Sequence, residues 1–98
     1  MAPRLDLQLL RTWEERLEVE PCKTFGVHRS QVTCDYKVQY RLVGYCHENN
    51  TFYYDRMVNE ATIVHELLHK KHPGWSESEV RAETKRLMAM IGDITGSE

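Results

Sequence analysis

The segment from Asn59 to Gly74 constrains the fold most, because it predicts one helix with both ends marked. Asn59 is a suitable N-cap, and the next residue places an acid in the first turn, where the helix dipole favours it. A Pro-Gly pair ends the helix after residue 71. The apolar residues occupy one side of the wheel: Ala61, Ile63, Val64, Leu67 and Leu68. His65 and His69 lie at the margin of that side, where a cleft could form.

Two further helices and a group of strands surround this segment in the sequence. Residues 5–19 repeat apolar side chains at helical spacing and end before a proline. Residues 24–56 are rich in β-forming residues and predict strands. A third helix is predicted over residues 76–91, because Ser76 and Glu79 have the spacing of a capping box.

The strand region predicts a hairpin. Side chains alternate with a period of two from Lys37 to Gly44, and a second run, Thr51–Tyr54, follows a polar turn at residues 47–50. An earlier strand is expected near residues 26–33. We therefore predict an α+β fold with about three strands, formed by residues 1–98 as a single domain that ends in a polar tail over residues 92–98.

His65-Glu66-Leu67-Leu68-His69 is an HExxH sequence. Residues at i and i+4 lie on the same face of a helix one turn apart, so both imidazoles can reach one ion. Zinc takes such nitrogen ligands in a tetrahedral shell and lowers the pKa of a bound water to about 7. Glu66 lies about 100° round the helix from His65. The sequence therefore predicts His65 and His69 as metal ligands, with Glu66 as the catalytic base.

The third ligand is open on these grounds. Glu79 and Glu83 both flank the apolar stripe of the third helix, and Glu77 lies about 160° beyond Glu79 on the wheel and is disfavoured. His72 is a further alternative at i+7 from His65. The proline after it disfavours helical geometry at that position.

Charge and cysteine content exclude other classes of protein. The net charge of −2 gives no basic field for nucleic acid. The three cysteines are odd in number and form no CxxC pair, so they indicate neither a disulfide framework nor a cysteine-type zinc site. No segment has the ~20 apolar residues of a membrane span, and the first twenty residues lack the apolar core of a signal peptide. A soluble cytoplasmic protein is expected.

The HExxH motif, followed by Glu79-Val80-Arg81-Ala82-Glu83, resembles the gluzincin zinc metallopeptidases. The most similar architectures are the soluble minigluzincins, the M48 membrane peptidases and the ImmA/IrrE peptidases. Two of these groups carry a Glu-x-x-Ala-(Asp/Asn) segment whose first glutamate is the third zinc ligand. The resemblance implies a zincin-like fold, one zinc ion and Glu79 as that ligand, with Glu83 in place of the Asp or Asn.

The resemblance also implies how a substrate binds and how activity is controlled. Such enzymes bind an extended peptide along an exposed edge strand, which here would come from the Val38–Tyr54 hairpin. Minigluzincins are latent forms in which a C-terminal segment blocks the cleft, and residues 91–98 could act in this way. A Tyr, His or Arg often stabilises the oxyanion, and this chain offers four candidates: Tyr53, Tyr54, His72 and Arg81.

Two functions follow from these residues. The first is a zinc-dependent endopeptidase that acts on a peptide or protein substrate, with the metal and Glu66 activating water. The alternative is a non-enzymatic zinc-stabilised interaction or regulatory domain, in which His72 closes the metal shell. The presence of Glu66 between the ligands favours the endopeptidase, because a structural site needs no base.

Overall fold

The computed structural model describes residues 5–26, 33–34, 37–38, 43–46, 50–54 and 58–95. Three helices lie in this part of the chain: α1 at Leu7–Leu17, α2 at Glu60–Lys71 and α3 at Glu77–Thr95. The strands are β1 at Thr24–Gly26, β2 at Thr33–Cys34, β3 at Lys37–Val38, β4 at Val43–Cys46 and β5 at Thr51–Tyr54. The α+β fold class that the sequence predicts is confirmed.

Three of the strands form a mixed sheet in the order β1-β5-β4. The predicted hairpin is present in part, since β4 and β5 pair antiparallel with Val43 opposite Tyr54. Its first strand differs from the prediction, because Lys37–Val38 pair with β2 instead. β1 pairs parallel with β5, with Phe25 opposite Phe52. The two short strands β2 and β3 pair separately. Residues 27–32 and 39–42 of the predicted strands lie outside the described residues.

Local sequence signals place the helix starts. The Asn59 side chain accepts a hydrogen bond from the Thr62 N–H at 2.8 Å, and Ser76 Oγ accepts one from the Glu79 N–H at 3.2 Å. α1 begins after Asp6, which caps it in the same way. The sequence places the end of the third helix too early, because α3 continues through four residues of the predicted polar tail to Thr95.

The core lies between α1, the sheet, α2 and the start of α3. Its largest fully buried apolar side chains are Phe52, Leu10, Ile63, Leu67 and Leu68. α1 is also tied to the first turn of α2, because Trp13 Nε1 donates to Glu60 Oε2 at 2.7 Å. This packing holds α2 by its apolar side, so its histidine margin is left at the edge of the core.

A buried polar network holds the chain after α1. Glu14 is 1% exposed, and its carboxylate accepts hydrogen bonds from Arg11 and from the Cys22 N–H, both at 2.7 Å. Lys70 of α2 is also buried and donates to the Glu20 carbonyl and to Asn50 Oδ1. The network joins three separate parts of the chain and satisfies both buried charges.

The thiol of Cys22 makes this network sensitive to alkali. Burial, the largest cause, raises its pKa to about 11, although the nearby Lys70 charge acts to lower it. Between about pH 9 and 11, the Cys22 thiol therefore stays protonated in the folded chain and is ionised in the unfolded chain. We expect the free energy of unfolding to fall as the pH rises from about 9 to 11, by on the order of 2–3 kcal/mol.

Urea unfolding at several pH values measures this dependence, with Cys22→Ala as the comparison. The variant should lose most of the decline between pH 9 and 11. Burial raises the pKa of Tyr45 from 10.0 to about 12, so the variant should keep a decline in the free energy of unfolding between about pH 10 and 12, which Tyr45→Phe removes. An equal decline in Cys22→Ala and wild type would contradict the assignment to Cys22.

Candidate metal centre

His65, His69 and Glu77 form a cluster that could hold a metal ion. The Nε2 atoms of the two histidines lie 3.2 Å apart. Glu77 Oε1 lies 2.6 Å from Nε2 of His65 and 3.0 Å from Nε2 of His69. One nitrogen from each ring and one carboxylate oxygen therefore form a triangle of similar edges. We call these three residues the His-His-Glu cluster.

The dimensions of the triangle fit one face of a tetrahedral metal shell. Metal–ligand distances of about 2.0–2.1 Å imply ligand–ligand edges of about 3.3 Å in a regular tetrahedron. The edge between the histidine nitrogens nearly equals this value, and the edges to the carboxylate are somewhat shorter. A small outward movement of one carboxylate oxygen would complete the match.

The surroundings shift the pKa values of two members of the cluster, His65 and Glu77. Burial lowers the pKa of His65, in opposition to the nearby Glu77 carboxylate, which acts to raise it. Burial acts to raise the pKa of Glu77, but hydrogen bonding to His69 and the charges of both histidines outweigh it, so that pKa is lowered. A neutral imidazole and an ionised carboxylate are the forms that bind metal ions.

Two helices supply the cluster. His65 and His69 lie one turn apart on α2, with their rings in edge-to-face contact. Glu77 is the first residue of α3, and only five residues separate the end of α2 from the start of α3. The short connection turns the chain back, so that the start of α3 lies beside the last turns of α2.

The structure brings Glu77, and not Glu79, to the histidines. Glu79 is exposed, lies two residues further along α3, and belongs to no such cluster among the described residues. Glu83 pairs with Arg86 instead, at 2.7 Å. The helical wheel of α3 disfavours Glu77 because it is phased on the apolar stripe of that helix, whereas the contact of Glu77 with the histidines depends on the turn before the helix. The short connection itself was the signal in the sequence.

Glu66 lies on α2 directly after the first histidine and is 7% exposed. The three cluster side chains are more accessible, at 21%, 25% and 38% for His65, His69 and Glu77. A small molecule or an extended chain can therefore approach the cluster from solvent.

His72 does not join the cluster. Its ring stacks on Trp75, with 3.7 Å between the ring centroids and 7° between the planes. Among the other residues predicted to stabilise an oxyanion, Tyr53 is 2% exposed, Tyr54 is partly exposed and Arg81 is exposed. The positive charge of Arg81 acts to lower the pKa of His65.

The end of α3 lies far from the cluster. Ile91 is 14 residues after Glu77, or about 21 Å along the helix. An apolar groove of about 490 Å³ lies there, lined by side chains that include Trp13, Leu87 and Met90. Residues 91–95 are therefore helical at the opposite end of α3 from the cluster, and residues 96–98 lie outside the described part of the chain.

Comparisons with profiles of known protein families, with curated protein sequences and with solved structures gave no significant match. The resemblance to gluzincins therefore rests on the motif and on the order of the elements. In the described part of the chain, no helix combines the length and the apolar character needed to cross a bilayer.

Proposed function

We propose that this chain is a zinc-dependent endopeptidase whose metal ligands are His65, His69 and Glu77. The observation that carries the proposal is the His-His-Glu cluster, together with Glu66, the residue that follows His65 on α2. Two imidazoles and one carboxylate are the protein ligands of a common type of catalytic zinc site. Glu79, which the resemblance implies as a ligand, stays a prediction to be compared directly with Glu77.

The number of ligands supports a catalytic site over a structural one. Structural zinc sites close the shell with four protein ligands, and catalytic sites keep one position for water or substrate. Within the described ranges, the cluster has three members. The stacking of His72 on Trp75 counts against the alternative of a structural site closed by that histidine.

Each residue has a distinct role in the proposed reaction. His65, His69 and Glu77 would hold the zinc ion, which would supply a Lewis acid and lower the pKa of a water to about 7. Glu66 accepts the proton of the attacking water and delivers it to the leaving amine. His65 and His69 bind as neutral imidazoles, and Glu77 contributes the negative charge of the site.

An extended substrate would be bound by the sheet. β4 lies at one edge of the sheet, paired on one side with β5, and within the described part no strand pairs with its other side. β4 also packs against α2, which carries the histidines. This geometry supports the predicted strand addition, in which backbone hydrogen bonds hold a peptide beside the metal site.

Metal removal tests the proposal. Purified chain should cleave peptides from a quenched fluorescent library, lose this activity after dialysis against a chelator, and regain it when one equivalent of zinc is added. Magnesium or calcium should not restore it, because these ions prefer oxygen ligands. A chain that binds zinc but cleaves no peptide would instead favour the non-enzymatic zinc domain.

A further inference from the structure

The connection between α2 and α3 is closed by two stacked rings. His72 follows the last residue of α2, and Trp75 stands two residues before the first residue of α3. Their rings lie 3.7 Å apart and are nearly parallel, and both are partly buried. The Trp75 N–H also donates to the His72 carbonyl at 3.0 Å, and the His72 N–H donates to the Leu68 carbonyl at 2.8 Å. The connection is thus held by both backbone and side chains.

This connection separates the metal ligands on the two helices. His69 lies three residues before His72, and Glu77 lies two residues after Trp75. The contact of 3.0 Å between His69 and Glu77 therefore depends on how the intervening chain turns. A change of a few tenths of an ångström there would alter the fit of the His-His-Glu cluster to a metal ion.

The glycine in the connection does not fix its shape. Gly74 has no positive φ angle, and a Cβ atom built on it would meet no atom within 4 Å. Alanine could take its place without steric conflict. The features that hold the turn are therefore the stacked rings, together with the proline and the backbone hydrogen bonds.

We propose that the stacked pair His72–Trp75 is a positioning device that sets the separation of His69 and Glu77, and with it the affinity for metal. His72 then acts through the face of its ring and not as a ligand. The inference rests on the proposed metal site, and it assigns a role to two residues that do not touch the ion.

A stacked aromatic pair stabilises a structure enough for its removal to be detected in a binding constant. Their contribution corresponds to roughly a two- to tenfold change in an equilibrium constant. We therefore expect His72→Ala to weaken zinc binding by roughly two- to tenfold. His72→Phe keeps a flat ring and removes both nitrogens, so its affinity should equal that of wild type. Gly74→Ala, in the same connection, is the matched control and should bind zinc as wild type does.

The experiment measures zinc affinity by competition with a chromophoric chelator for wild type and these three variants. Visible absorption of the cobalt-loaded proteins reports whether the ligand geometry is kept, and circular dichroism reports whether each variant folds. Trp75→Phe and Trp75→Leu form a second pair in case His72→Ala fails to fold. The phenylalanine variant should keep the zinc affinity, and the leucine variant should bind zinc roughly two- to tenfold more weakly.

The outcomes separate the inference from the function on which it rests. Weaker binding by His72→Ala, with His72→Phe and Gly74→Ala unchanged, supports the positioning role. Equal affinity in all variants overturns it and leaves the metal site standing. If His72→Ala and His72→Phe both bound zinc about 100-fold more weakly, His72 would be a ligand, and the positioning role would also be overturned. Wild type that binds no zinc would end the proposed function, and the inference with it.

Discussion

Glu66→Gln should bind zinc like wild type and hydrolyse peptides on the order of 10²–10⁴-fold more slowly, the range that a general base contributes. Glutamine has nearly the same volume as glutamate, so it fits the buried position, where the side chain is 7% exposed. It cannot accept the proton of the attacking water. The measurement is kcat/KM on a single peptide with zinc content determined on the same preparation.

The matched control is Glu15→Gln, the same substitution at an exposed position on α1. It should leave both zinc content and hydrolysis unchanged. If Glu66→Gln hydrolysed the peptide as fast as wild type, Glu66 would not be the base. Loss of zinc from Glu66→Gln would mean that Glu66 supports the metal site itself.

Gly44→Ala should destabilise the fold by about 2–4 kcal/mol, as overpacking within a core does at its upper range. Gly44 on β4 lies opposite Tyr53 on β5. A Cβ atom there would lie 2.9 Å from Cε1 of the Tyr53 ring and closer still to Cζ and the hydroxyl oxygen. Because Tyr53 is 2% exposed, its ring has little room to move away. The midpoint of urea unfolding measures the loss.

Two comparisons make this prediction specific. Gly74→Ala adds the same methyl group in open space and should change the midpoint little. Tyr53→Phe should not restore the stability of Gly44→Ala, since the ring carbons still overlap the added Cβ atom. In a Tyr53→Ala background, adding Gly44→Ala should cause almost no further loss of stability. A midpoint for Gly44→Ala within the error of wild type would show that the strands separate easily at this pair.

The helix α2 could be predicted because its determinants are local. Asn59 caps α2, and the chain leaves the helix before Pro73, as the sequence indicates. The alternation of side chains around a polar turn likewise predicted the β4–β5 hairpin. The parallel pairing of β1 with β5 was not predicted. Parallel strands are connected by a long segment of chain, so no local sequence pattern marks which strands pair.

A helical wheel cannot rank the candidate third ligands. A wheel orders the residues of α3 around its axis, but it gives no information on where the helix begins relative to α2. The turn after His72 brings the first residue of α3 to the histidines, so Glu77 makes a contact of 2.6 Å with His65. The resemblance to gluzincins favours Glu79 through its match to the Glu-x-x-Ala-(Asp/Asn) segment, and this stays a prediction.

The first measurement is zinc content per chain, by plasma mass spectrometry, on wild type, Glu77→Ala and Glu79→Ala prepared side by side. We predict about one zinc per chain in wild type and in Glu79→Ala, and markedly less in Glu77→Ala, because Glu77 Oε1 contacts both histidine nitrogens. Circular dichroism confirms that the variants fold. If Glu77→Ala kept a full complement of zinc and Glu79→Ala lost it, the claim that the His-His-Glu cluster holds the metal would be contradicted. No zinc in wild type would contradict the metal centre altogether.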